Sequence, residues 1–202
     1  MDAGPFTGTA QCLTGSYSNI FNKNPFVYSD GHDDQSFAYV MLWNHAGGGY
    51  AQVGWMKDQY SARNDFSEVN TAETHWNFSR KLYPPEPVGD YPLYQMEFSS
   101  STNTFHFLID GVDERDFTSV TYTGCDAFDS GETHNRDSQM PGEVSGYDNF
   151  GATEIRDSGG WHYTNNWGTL TGDANGNPVG AYLYSETGSP LSNLAIADSA
   201  CP

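Results

Sequence analysis

The sequence predicts an all-β protein, folded as a two-sheet antiparallel β-sandwich of the jelly-roll type. The first observation is a series of about ten short segments with alternating side chains, separated by turn residues. The second is the composition, because aromatic residues make up 15% of the chain and 22 glycines supply tight corners. The third is that no window carries the sustained 3.6-residue apolar period of an amphipathic helix.

The chain length of 202 residues suits one large β domain with a sizeable core. We therefore expect a single domain over residues 1–202. Residues 1–35 are polar and carry turn signals such as Asn24-Pro25. We expect them to form an irregular N-terminal segment packed on the sandwich, with one short strand at 26–28.

The strongest alternation lies in two neighbouring segments, 36–43 and 50–56, which three glycines join into a predicted hairpin. Both sides of the first segment are apolar, as is typical of a central strand. The second segment places Ala51, Val53 and Trp55 on one side, and that side is suited to packing against a second layer.

The opposite side of the second segment carries Tyr50 and Gln52, followed by Gly54. A polar side chain in the middle of such a strand, next to a glycine that admits close approach, marks a candidate site. The alternative is a glutamine that only forms a hydrogen bond across the sheet.

The remaining elements are shorter. Residues 94–98 and 105–109 alternate around a polar turn and form a clear hairpin. Residues 126–149 are rich in Asp, Gly and Ser, and we expect them to be irregular. The other predicted strands are 66–70, 75–82, 117–122, 150–156, 160–167 and 180–185.

Charge excludes two classes of partner. Eight basic residues against 26 acidic ones give a net charge of −18, which repels nucleic acid and anionic membranes. No stretch of about 18 apolar residues is present to form a membrane span. The low pI of about 4.3 fits a secreted protein that tolerates acid. Because Met1 precedes what resembles a mature N-terminus, we expect an extracellular protein whose leader has been removed.

Three cysteines in an extracellular chain predict one disulfide and one spare thiol. Cys12–Cys201 would connect the two termini, and Cys12–Cys125 is the alternative. The sequence does not choose between these pairings.

The chemistry of the candidate site rests on Gln52 and Glu132. Hydrolysis of an amide needs a base for water, an acid for the leaving nitrogen and a donor for the oxyanion. A carboxyl group and a side-chain amide can divide these tasks without a metal or a cofactor, so we predict neither. The alternative for Glu132, within Gly131-Glu132-Thr133, is a solvated loop carboxylate.

The order of these motifs resembles the glutamic peptidases, or eqolisins. Residues 38–42, Ala-Tyr-Val-Met-Leu, correspond to a family strand that reads Ala-Trp-Val-Gly. Residues 52–55, Gln-Val-Gly-Trp, correspond to the family strand Gln-Thr-Gly-Phe/Trp, whose Gln is catalytic. Ser67-Glu68-Val69 stands where the family has Tyr-Glu-Trp. Residues 131–134 and 149–152 match the family's catalytic-Glu segment and its following Pro-Phe-Ala strand in position.

The chain departs from this pattern at two points: the aromatic pair around Glu68 and the apolar residue after Glu132 are absent. The segment from Gly131 to Gly142 also resembles neprosin, another glutamate-dependent sandwich peptidase. Neprosin's first catalytic Glu has no counterpart, and Asp58 and Gln59 are nearest. Both families share the concanavalin-like sandwich.

The resemblance implies a secreted peptidase that is active in acid and cleaves extracellular polypeptide. Glu132 would act as base and then acid, and Gln52 would position water and donate to the oxyanion. Glu68 would be a neighbouring carboxylate that favours protonation of Glu132, since like charges disfavour ionisation. Tyr50, on the Gln52 side, is a candidate substrate contact.

The alternative function is a non-catalytic module of the same fold that binds polysaccharide or has a structural role at a surface. Its candidate contacts are the side chains that alternate onto one side of residues 161–167: Trp161, Tyr163, Asn165 and Trp167. A metal site formed by Glu132 and His134 with His106 or His162 is a third hypothesis, although the six histidines show no HxH or HExxH spacing. Substrate identity and oligomeric state stay open.

Overall fold

The fold is that of a computed structural model. It describes residues 2–8, 12–28, 34–44, 49–60, 62–71, 78–124, 126–133, 148–163, 168–172, 182–187 and 193–198.

All regular structure in these ranges is β-strand, and they contain no helix that could span a membrane. The strands are β1 (Asp2–Gly8), β2 (Gly15–Ile20), β3 (Gln35–Asn44), β4 (Gly49–Asp58), β5 (Arg63–Asn70), β6 (Phe78–Tyr83), β7 (Leu93–Ser99), β8 (Thr104–Ile109), β9 (Val112–Thr118), β10 (Asp126–Thr133), β11 (Asp148–Asp157), β12 (Gly160–His162), β13 (Gly168–Gly172), β14 (Tyr182–Thr187) and β15 (Asn193–Asp198).

The strands form two antiparallel sheets, which confirms the predicted two-sheet sandwich. The seven-stranded sheet has the order β13-β1-β10-β3-β4-β5-β6. The eight-stranded sheet has the order β14-β15-β11-β2-β7-β8-β9, and β12 pairs with β11. Strands distant in sequence are neighbours in both sheets, so the fold depends on non-local pairing.

The core lies between the sheets, and strand alternation decides which side chains enter it. The side of β4 that carries Ala51, Val53 and Trp55 is fully buried there, as the sequence predicts. The eight-stranded sheet contributes aromatic side chains such as Tyr94 and Phe107.

Each sheet therefore has one side turned away from the core. We call the outer side of the seven-stranded sheet the front face. Its members include Tyr39, Tyr50, Gln52, Glu68 and Glu132, which alternate with core residues along their strands. We call the outer side of the eight-stranded sheet the back face; it includes Tyr17, Glu97, His106 and Arg156.

Both predicted hairpins are present. β3 and β4 pair from Gln35 to Asn44, and β7 pairs with β8 from Tyr94 to Ser99. Close approach at Gly54 fixes the β3–β4 pairing, because a Cβ there would lie 2.0 Å from the Ala38 carbonyl oxygen. Gly54 thus leaves room for the backbone of the neighbouring strand β3.

The expectation of an irregular segment at 1–35 is wrong, because both β1 and β2 are integral strands. The inward side chains of β2 include Ser16 and Ser18, whereas Tyr17 points outward, so the usual apolar alternation is inverted. The predicted strand at 26–28 is also wrong, since those residues form no regular structure.

Two further segments differ from the prediction. Residues 126–133, expected to be irregular, form β10, an interior strand of the seven-stranded sheet, where Asp129 is buried in place of an apolar residue. The strand expected at 117–122 instead runs from Val112 to Thr118, so residues 119–122 are not part of a strand. Asp110 and Gly111 both have positive φ, at 49° and 77°, and this tight turn leads directly into the next strand.

The predicted disulfide stays a prediction. The thiol of Cys12 lies 3.6 Å from the carbonyl oxygen of Thr123. Cys125 and Cys201 lie outside the described residues.

Candidate active site on the front face

Gln52 is held by Glu68 on the neighbouring strand. The two residues are cross-strand partners of β4 and β5, and Gln52 Nε2 donates to Glu68 Oε1 over 3.2 Å. The Tyr50 hydroxyl donates to the same oxygen over 2.6 Å. Gln52 is 5% exposed, so the amide has one orientation fixed by a buried carboxylate. The second N–H of Gln52 is not used by Glu68.

Glu68 is compensated by Arg80 from edge strand β6. Arg80 Nε donates to Glu68 Oε2 over 2.6 Å, and Arg80 Nη1 donates to Gln35 Oε1 over 3.0 Å. Glu68 is only 2% exposed, and a buried carboxylate needs a cation and hydrogen bonds of this kind. Glu68 is therefore part of an ion pair on the front face.

The Arg80 guanidinium also lies among aromatic rings. It is 5.2 Å from the ring centre of Phe37, 5.3 Å from that of Phe78 and 5.7 Å from that of Phe66. Cation–π attraction to these rings adds to the ion pair. The arrangement covers the β5–β6 side of the front face with an aromatic cluster around Arg80.

Glu132 occupies the more open part of the front face. Its side chain is half-buried, and its Oε2 accepts a hydrogen bond of 3.1 Å from the Tyr39 hydroxyl. Tyr39 itself is 2% exposed and belongs to β3, the strand that separates Glu132 from Gln52. A carboxyl group with one phenol donor and partial solvent access can take up and release a proton.

Gln52 and Glu132 share the front face without touching. Glu132 pairs with Phe37 and Gln52 pairs with Met41, four positions apart on β3 (41 − 37). Regular strand geometry converts this offset to about 13 Å along the strands and about 10 Å across them. The two side chains thus lie on either side of Tyr39.

Electrostatics links the two halves of the site through Tyr50. Burial raises the pKa of Tyr50, the adjacent Glu68 carboxylate raises it further, and Glu132 adds a smaller increase. Tyr50 therefore remains a neutral phenol that donates to Glu68. The dependence on Glu132 places that carboxyl within electrostatic range of the Gln52 cluster.

The other predicted contacts lie elsewhere or outside the described residues. Trp161 and Tyr163 belong to the region around β12, which pairs with the eight-stranded sheet. Asn165, Trp167 and His134 lie outside the described residues.

Sequence reasoning missed Arg80 and Tyr39 as members of the site. A signal for Arg80 was present, because it alternates with Phe78 and Leu82 in a chain that has only eight basic residues. The sequence predicts Tyr39 only as a member of a strand that is apolar on both sides.

Within the described part of the chain, one group of side chains has the composition of a metal site. Ligand atoms of His106, Asp113 and Asp116 lie within 4.8 Å of one another. Imidazole with carboxylates is a donor set for a divalent transition metal. His106 Nδ1 and Asp116 Oδ1 already contact each other at 2.5 Å, and the group belongs to the back face.

Comparison with solved structures shows the same architecture in glutamic peptidases. SCP-B, a member of the eqolisin family of peptidases in complex with the tripeptide Ala-Ile-His, superposes with a TM-score of 0.66 and 11% identity. The match covers 98% of this chain and 97% of that chain. Scytalido-glutamic peptidase with a peptide-based transition-state analogue gives a TM-score of 0.65, 12% identity and the same coverage.

No protein-family model matches the sequence, and comparison with curated proteins gives no match. At 11–12% identity, the structural match defines the fold. The resemblance to eqolisins that the sequence indicates is therefore confirmed as a resemblance of architecture over nearly the whole chain: this is an all-β sandwich with the fold of the glutamic peptidases.

Proposed function

We propose that this protein is a secreted, acid-active peptidase that cleaves extracellular polypeptide at the front face without a metal or a cofactor. The observation that carries the proposal is the shared face of Glu132, a half-buried carboxyl, and Gln52, an oriented amide. Support also comes from the fold, which matches two peptidases whose structures contain a tripeptide or a peptide-based analogue.

In the proposed reaction, the substrate backbone lies over Tyr39, between Gln52 and Glu132. The Glu132 carboxylate takes a proton from water, and the hydroxide adds to the carbonyl carbon of the scissile bond. Because the register offset between Gln52 and Glu132 puts Gln52 beyond reach of the carbonyl that Glu132 attacks, the second N–H of Gln52 donates to another backbone carbonyl of the bound polypeptide and holds the chain in register. The protonated Glu132 gives its proton to the leaving nitrogen, the C–N bond breaks, and an acid and an amine result.

The surrounding residues have positioning roles in this scheme. Glu68 holds the Gln52 amide, and Arg80 compensates the Glu68 charge, so Glu68 contributes orientation. Tyr39 donates to Glu132 and sets the direction of its carboxyl group. A single Glu can act first as base and then as acid when its carboxyl exchanges protons during the reaction, and acid conditions supply the protonated form.

The test is casein digestion at pH 3–5 in the presence of EDTA. We expect the wild type to cleave casein and Glu132→Gln to be inactive. Glu114→Gln is the matched control, because it removes a half-buried carboxyl from the other sheet. A wild type that leaves casein intact overturns the proposal, and so does a Glu132→Gln variant as active as the control.

A further inference from the structure

A row of side chains crosses the back face from one strand to the next. The strand register aligns one outward residue from each of six neighbouring strands, and we call this row the back strip. Its members, from β9 to β12, are Asp116, His106, Glu97, Gly15, Arg156 and Trp161. Five strand spacings make the strip about 24 Å long, enough for an extended oligomeric ligand.

Polar side chains along the strip contact one another. Arg156 donates to Glu97, and His106 contacts Asp116 at 2.5 Å. Asp113 also lies beside His106, so the strip and its surroundings hold three carboxylates, one guanidinium and one imidazole. The strip therefore offers donors and acceptors with an excess of acidic groups, and it suits a neutral hydroxyl-rich ligand better than an anionic one.

The aromatic end of the strip is formed by Trp161 over Gly15. A Cβ on Gly15 would lie 2.6 Å from Trp161 Cη2, so the missing side chain is what lets the indole ring lie on β2. Tyr17 packs against the indole with ring centres 5.0 Å apart. The Arg156 guanidinium lies 5.8 Å from the centre of the Trp161 ring. The half-buried Trp161 ring thus packs on β2 beside Tyr17 and Arg156, and the adjacent Tyr163 is 43% exposed.

A polar cleft of about 400 Å³ lies along the His106–Glu97–Arg156 part of the strip, and Arg156 connects it to Trp161. Its lining brings together hydroxyl, carboxylate, imidazole and guanidinium groups. They come from Thr14, Glu97, Ser99, Ser101, His106 and Arg156.

We propose that the back strip binds a neutral, hydroxyl-rich saccharide chain, with one sugar ring on Trp161 and hydroxyl groups in the adjoining cleft. The apolar C–H face of a pyranose packs on an indole, and the paired charged groups form strong hydrogen bonds with hydroxyls. This site is on the opposite side of the sandwich from Glu132, and it does not depend on peptidase activity.

The test is native gel electrophoresis through gels that contain laminarin, hydroxyethylcellulose or galactomannan, with polygalacturonate as the anionic comparison. We expect at least one neutral polymer to retard the wild type. Trp161→Ala should bind at least about tenfold more weakly. Tyr60→Ala is the matched control, because it removes a tyrosine that is 79% exposed elsewhere.

Two further measurements make the outcome decisive. The urea midpoint of each variant verifies folding, and Arg156→Met tests the polar part of the strip without removing the ring. Casein digestion by Trp161→Ala should equal that of the wild type. Absence of retardation in all three neutral gels overturns the proposal. Retardation by polygalacturonate alone, or equal retardation of folded Trp161→Ala, also overturns it.

Discussion

The front and back faces each carry an arginine–glutamate pair, but in different surroundings. On the front face, Glu68 is 2% exposed and Arg80 is 19% exposed among three aromatic rings. On the back face, Glu97 is 28% exposed and Arg156 is 39% exposed. The buried pair fixes a glutamine in one orientation, whereas the exposed pair can exchange partners with solvent or a ligand. Burial, more than residue identity, sets the role of each pair.

The largest difference should appear when each arginine is replaced. Arg80→Met leaves the buried Glu68 carboxylate without its cation, and we expect the free energy of unfolding to fall by about 3–5 kcal/mol. Arg156→Met breaks an exposed pair and should cost less than about 1 kcal/mol. Urea unfolding at pH 7 measures both values. Equal losses of unfolding free energy in the two variants would contradict the distinction between the faces. The double variant Arg80→Met/Glu68→Met should recover most of the stability that Arg80→Met loses, because no unpaired buried charge remains.

Two aspartates buried between the sheets, Asp129 and Asp65, should make the free energy of unfolding depend on pH. Burial raises the pKa of Asp129 to about 7 and that of Asp65 to about 6, against about 3.9 in the unfolded chain. The folded state then holds more protons on these two groups between pH 4 and 7, so their contribution to stability is complete below pH 4 and is lost as pH rises to about 7. Asp129→Asn should remove on the order of 3 kcal/mol of this fall.

The measurement is the free energy of unfolding from pH 4 to 8 for the wild type and Asp129→Asn. Asp157→Asn is the control, because Asp157 lies at the turn between β11 and β12 and its pKa is lowered by the Gly159 amide and His162. A wild-type stability that rises across this window would show that the buried carboxyls do not control it.

Two glycines sharpen the comparison further. Gly54→Ala places a Cβ against the backbone of Ala38 and Tyr39, which cannot move without breaking the β3–β4 ladder, and should cost about 2 kcal/mol. Gly15→Ala on the back face meets the end of the Trp161 side chain, which can swing aside. We expect a stability loss below about 1 kcal/mol for Gly15→Ala, with a change in tryptophan fluorescence. Equal losses would show that Trp161 is as fixed as the β3 backbone.

The smallest expected difference concerns single hydrogen bonds to the two glutamates. Tyr50→Phe removes one donor from buried Glu68 and should cost about 1.5 kcal/mol. Gln95→Ala removes the 2.6 Å bond to Glu97 on the back face, where water can replace it. Thermal unfolding of both variants should therefore show a lower Tm only for Tyr50→Phe. A lower Tm only for Gln95→Ala would contradict the view that burial makes the Glu68 hydrogen bond the stronger contributor to stability.

Much of the fold was predictable where alternation is apolar. The β3–β4 and β7–β8 hairpins follow directly from their sequence patterns. β2 and β10 escaped prediction because Ser16, Ser18 and Asp129 take inward positions that an apolar residue normally fills. The start of β9 was predictable, since Asp110-Gly111 is a strong signal for a two-residue hairpin turn.

The candidate site was predictable only in part. Gln52 and Glu132 are marked by their sequence contexts, and the strand order brings them to one face. The contact of Arg80 with Glu68 depends on the β5–β6 register, which no local pattern specifies. The position of Glu132 relative to Gln52 depends in the same way on how β10 and β4 align with β3.

The most direct test of the front-face site is kcat/KM for a peptide substrate at pH 4, measured for the wild type and Glu132→Gln with the urea midpoint of each sample. If Glu132 carries the proton, Glu132→Gln loses at least about 100-fold in kcat/KM while its midpoint stays unchanged. A folded Glu132→Gln variant with wild-type kcat/KM would contradict the assignment of this carboxyl as the general base.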